Sequence, residues 1–91
     1  MEKQLLNYRI IIDKETYSNG SLVYVAHCPT LGISDYGDTV EDVLKSIKEG
    51  IELAVESLSK EKQEVPIDNI DDQIITSTKV YVSSRLPLSF T

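Results

Sequence analysis

One stretch of this chain has a single physical solution. Val40, Val43, Leu44, Ile47, Ile51, Ala54 and Leu58 recur at spacings of three, four and one. At about 100° per residue they fall within one stripe of about 100° width, the signature of an amphipathic helix. Thr39 precedes it as an N-cap, with Asp42 three residues on, a capping-box variant. Asp38, Glu41 and Asp42 sit at the end where the helix dipole favours negative charge, and Lys60 and Lys62 at the opposite end. The pattern predicts a helix from about Val40 to about Ser59, closed by Val65-Pro66. Leu53 lies well off the stripe. With 91 residues in total, the chain is expected to hold one such helix and to build the rest from strands.

The flanking segments read as strands. Leu5–Asp13 alternates, with Leu6, Tyr8, Ile10 and Ile12 on one face; Ile11 falls on the other. Residues 14–20 form a turn sharpened by Asn19-Gly20. Ser21–Cys28 is the second arm of a hairpin, ended by Pro29. Ile33–Tyr36 is a short third strand. Beyond the acidic connection 66–72, Gln73–Ser84 alternates again, with Ile74, Thr76, Thr78, Val80 and Val82 on one face. This predicts a βββαβ order and a two-layer α+β fold, one helix on a small, mostly antiparallel sheet. Residues 1–84 are expected to form one domain. Residues 85–91 are expected to be a tail that docks on the body or on a neighbouring subunit. Two layers leave one sheet face open, with Ile11 and either Tyr24 or Val25 on it. Self-association as a dimer or tetramer is the expected cover, with Leu53, Tyr81 and Phe90 as contact residues.

Composition narrows the function. The net charge is −6, and it is uneven. Residues 39–72 carry ten acidic and four basic groups, whereas residues 73–91 carry only Lys79 and Arg85. No basic cluster exists to hold a phosphate backbone, so direct nucleic-acid binding is not expected. One cysteine excludes an internal disulfide and a cysteine-based zinc site. No apolar run approaches the ~20 residues of a membrane helix, and Met1-Glu2-Lys3-Gln4 does not open a signal peptide. A cytoplasmic protein is expected.

Few residues carry chemistry. His27 and Cys28 are adjacent in a strand, so they point to opposite faces and do not converge. Ser21, Ser34, Ser46, Ser57 and Ser59 have no nucleophile elbow around them, and His27 is the one available base. Tyr24, Tyr36 and Tyr81 lack the basic surround of a base-stacking surface. These features point to a binding protein with no cofactor and no metal, rather than an enzyme.

From Tyr8 to Pro66 the chain resembles the HicB antitoxin family of type II toxin–antitoxin systems. Tyr8-Arg9-Ile10-Ile11-Ile12 opens the similarity and Val23-Tyr24-Val25-Ala26 is its second strand. Pro29-Thr30-Leu31-Gly32 is similar to the family's Pro-Asp-Leu-Pro-Gly turn, without that turn's second proline and the cysteine that often follows. Gly37-Asp38-Thr39 with Glu41-Asp42 is similar to its Gly-Asp-Thr helix start. Ile47, Ile51, Leu58 and Val65-Pro66 follow its helix and closing Ile-Pro. The resemblance implies a truncated ribonuclease H fold and a partner, a small basic HicA-like toxin that cleaves messenger RNA. Glu41, Glu49, Glu52 and Glu56, with the acidic 68–72 connection, would face that toxin. Residues 67–91 read as a strand and a tail, so the family's usual DNA-binding module is not expected in them. A stand-alone oligomeric binding module is the alternative. A residual nuclease would need Asp13, Asp35, Asp38 and Glu41 to converge on magnesium.

Overall fold

A computed structural model describes residues 4–89. Its elements are β1 (Ile11–Thr16), β2 (Leu22–Cys28), β3 (Ile33–Gly37), α1 (Val40–Lys60) and a 3-10 turn at Ile70–Asp72. The strands form one antiparallel sheet in the order β1-β2-β3. This is the expected α+β architecture, three strands followed by one helix.

Local chemistry sets each junction. The β1–β2 turn closes with Tyr17 N–H on the Ser21 carbonyl at 2.9 Å and Gly20 N–H on the Tyr17 carbonyl at 2.9 Å. The Asn19 carboxamide oxygen accepts from Ser21 N–H at 3.0 Å and its hydroxyl at 2.7 Å. Gly20 has φ +86°, a conformation glycine adopts without steric cost. Thr39 Oγ1 accepts from Asp42 N–H at 3.0 Å, so the predicted cap forms. Gly37 lies close under the helix start, where a Cβ would meet the Val43 nitrogen at 3.0 Å and press the first turn outward by a few tenths of an ångström. The helix closes with Lys62 in the left-handed region at φ 57°, its N–H on the Ser59 carbonyl and Gln63 N–H on the Leu58 carbonyl.

Register assigns the two sheet faces. Ile12 pairs with Ala26, which pairs with Asp35; Cys28 pairs with Ile33. Those side chains face α1. The buried centre is Ala26, Cys28, Val43 and Ile47, ringed by Tyr8, Ile10, Ile12, Tyr24, Leu31, Ile33 and Ile51. The opposite face carries Ile11, Asp13, Val25, His27, Ser34 and Tyr36, so the open face holds Val25 and the core side Tyr24.

Two expectations are corrected. The first strand begins at Ile11 rather than Leu5. β2 ends before Pro29, so residues 4–10 run past its last ladder position. Their alternation persists nonetheless, since Tyr8 and Ile10 pack on the core. The fourth strand of the βββαβ order does not form: Gln73–Ser83 is extended but joins no sheet among the described residues. Alternation shows that a segment can pair; it does not supply a partner edge. Ile74 is 89% exposed and Tyr81 wholly so. In the described part of the tail, residues 85–89, Leu86 and Leu88 stay exposed rather than packed on the body. Phe90 lies outside the described residues.

Ile47→Ala should lower unfolding free energy by about 3 kcal/mol, from lost burial plus the cavity left behind. Lys62→Gly should raise it by about 1 kcal/mol by relieving the left-handed residue. Urea unfolding followed by circular dichroism measures both.

Candidate functional site

Three surfaces carry the polar and unpartnered groups. The first is the outward side of α1. Glu41, Glu49, Glu52 and Glu56 all lie exposed on it. On the helix they fall within about 80°, turned away from the apolar stripe. Glu56 pairs with Lys60 at 3.1 Å, an exposed contact that leaves the surface acidic. Leu53 is 67% exposed and borders a shallow depression with Glu56, Ser57 and Lys60. Tyr81 lies on the extended segment, away from the helix contacts that bury the core.

The second surface is an open apolar groove of about 1240 Å³ between residues 4–10 and α1. Leu6, Tyr8, Ile10, Leu44, Ile51 and Val55 line it, and Lys48, Glu52, Glu56 and Lys60 border it. Glu52 and Glu56 thus belong to both surfaces; Glu41 and Glu49 do not touch the groove. Nothing in the local residue pattern signals this groove. It arises because the helix, at 21 residues, outruns the ladder beside it.

The third surface is the open sheet face. His27 Nδ1 is 2.7 Å from Ser34 Oγ, and His27 Nε2 is 3.8 Å from Asp13 Oδ2. These three residues come from three strands, so only the cross-strand register brings them together. The order imitates a serine–histidine–aspartate row, but His27 is only half-buried and Asp13 is exposed, on the open sheet face. Such a row gains its power from a water-excluded site with aimed oxyanion donors. This face is outside the groove and offers no such enclosure.

The four candidate carboxylates separate. Asp13 is on the open face. Asp35 faces α1, where its Oδ2 accepts from Ser46 Oγ at 2.5 Å and its Oδ1 from Tyr36 N–H at 2.8 Å. The Ser46 hydroxyl, then that N–H, hold the Asp35 carboxyl below its ordinary range. Asp38 and Glu41 lie exposed at the helix start. Among the described residues no group of three histidine, cysteine or carboxylate side chains gathers as a metal site. Cys28 is buried in the core while His27 is on the opposite face.

Part of the acidic connection turns inward. Asp68 Oδ2 accepts from Arg9 N–H at 2.8 Å and from Thr30 Oγ1 at 2.8 Å. The Arg9 N–H and the Thr30 hydroxyl, in that order, hold its carboxyl below the usual range. Tyr8 donates its hydroxyl to the Pro66 carbonyl at 2.7 Å, and burial pushes its ionisation up. Arg9 also donates to the Gln73 side chain. Asp68 therefore clasps the connection to both the lead of β1 and the β2–β3 turn. Asp71 and Asp72 stay exposed.

Lowered carboxylate ionisation stabilises the fold above about pH 4, the ordinary aspartate value. That contribution drains away as pH falls through the lowered values of Asp35 and Asp68. Asp35→Asn and Asp68→Asn should each lower the urea midpoint at pH 7. The gap to the parent protein should narrow steadily as pH falls below about 4.

Among proteins of known sequence, the UPF0150 protein ssr1765 of Synechocystis sp. is 41% identical over 69 residues. That match covers 75% of this chain and 82% of the relative. No family model and no solved structure matches the chain. No helix among the described residues is long and apolar enough to cross a membrane.

Proposed function

The chain belongs to the UPF0150 family, and from that premise we propose that it is a HicB-like antitoxin-type protein. It binds a small basic, messenger-RNA-cleaving toxin and masks that toxin's active site. The observation that carries this reading is the outward side of α1. Glu41, Glu49 and Glu52 are exposed and form no ion pair among the described residues. A rigid helix side on which four carboxylates outnumber Lys45 and Lys60 keeps an acidic excess, which attracts a basic partner and steers its approach. The sequence resemblance supports the identity of that partner.

The same reading makes this chain a stoichiometric binder without catalytic groups of its own. Two details support that. Asp13 and Asp35 are on opposite sheet faces, which opposes a shared magnesium site. Asp35 is committed to Ser46 on α1, which makes it a structural acceptor.

Mixing the protein with the product of its neighbouring gene and following RNA cleavage tests the proposal. Cleavage should stop at equimolar protein. Undiminished cleavage at a stoichiometric excess would sink the idea. Glu49→Lys, alone and with Glu41→Lys, should slow association about tenfold at low ionic strength, with the difference shrinking as salt rises. Neither residue borders the groove.

A further inference from the structure

We propose that residues 73–83 are an exchanged strand, which leaves its own chain and fills the groove between residues 4–10 and α1 of a second copy. Three observations carry this.

The first is the segment's state. It is extended and alternating, and among the described residues 73–82 form no backbone hydrogen bond with the rest of the chain. Its apolar side chains are in water. The radius of gyration is 17.5 Å, with extents of 61 × 36 × 20 Å. A compact chain of this length has about 12 Å. The exit is fixed, because Arg9 holds Gln73 and Asp68 clasps the preceding connection. The segment thus projects outward from a firm root.

The second is dimensional fit. Ile74 to Val82 spans about 26 Å as a strand. The groove's helical wall from Leu44 to Ser59 spans about 22 Å. Residues 4–10 form the other wall and pair with no strand among the described residues. A strand laid beside them gains main-chain partners and sets Ile74, Val80 and Val82 against Leu44, Ile51 and Val55.

The third is charge. Residues 73–91 hold two cations and no anion, while the remainder of the chain carries the acidic excess. With the apolar row in the groove, Lys79 falls on the open sheet face, the face on which β1 presents Asp13 and Glu15. Strand and groove occur on the same chain, so reciprocal exchange closes a twofold dimer in which both arms and both grooves are occupied.

Light scattering of the full chain at high micromolar concentration tests this. A mass of twice 10.2 kDa is expected. Val80→Asp/Val82→Asp should halve it, with unchanged helix signal in circular dichroism, since both side chains lie outside the core. Val55→Lys in the groove should also give single chains. Mixing the two variants should restore a dimer joined by one arm and one groove. A monomeric parent protein, which would mean a free or self-docked arm, overturns the proposal. So does a dimer that survives Val80→Asp/Val82→Asp, or two variants that fail to recombine while both keep their helix signal. None of these measurements involves the toxin, so their outcome is separate from that of the proposed function.

Discussion

The contact of Val43 and Ile47 with Ala26 and Cys28 organises everything else in the fold. These four side chains are the sealed centre, and they sit on only two elements, α1 and β2. The helix packs on β3 as well as on β2, and because β2 is the middle strand the same contact holds β1 through the hairpin. Close packing at such a small centre leaves little tolerance for a lost methylene. The capped helix start and the narrow approach at Gly37 serve the same contact, since they set where the helix begins relative to β3.

From that centre outward, the described chain becomes less self-sufficient. The sheet has one face on the helix and one in water, with Val25, Ile11 and Tyr36 on the wet side. The helix is longer than the ladder it covers, which opens an apolar groove beside the lead of β1. Past Gln73 the described apolar side chains stay exposed, clear of the body. The acidic outer side of α1 is therefore one of several unfinished surfaces, distinct in chemistry from the apolar ones.

Elements whose pattern is satisfied by near neighbours were legible in the sequence. The helix from Val40, its Thr39 cap, the Asn19-Gly20 turn and the split of His27 from Cys28 all follow from local periodicity and turn chemistry. The start of β1 was not legible, because it depends on where Pro29 stops the partner strand. The run after Gln73 has a strand's pattern yet joins no sheet among the described residues, because alternation is blind to whether an edge is within reach. At the candidate site, the glutamates of α1 were readable from helical spacing. The groove, the Asp13–His27–Ser34 row and the inward role of Asp68 were not, since each joins residues from separate elements through register or a long return of the chain.

The Asp68 clasp divides the sequence into two regimes of inheritance. Between Tyr8 and Gln73 the chain is tied together by core packing and by the Tyr8, Arg9 and Thr30 hydrogen bonds, and substitutions at those positions are screened by folding itself. Past Gln73, the described side chains touch little, and changes there fall in the range of surface replacements, within about half a kcal/mol. Sequence drift in that stretch is nearly free of folding consequences, so the arm is where related chains can diverge in association while keeping the same body.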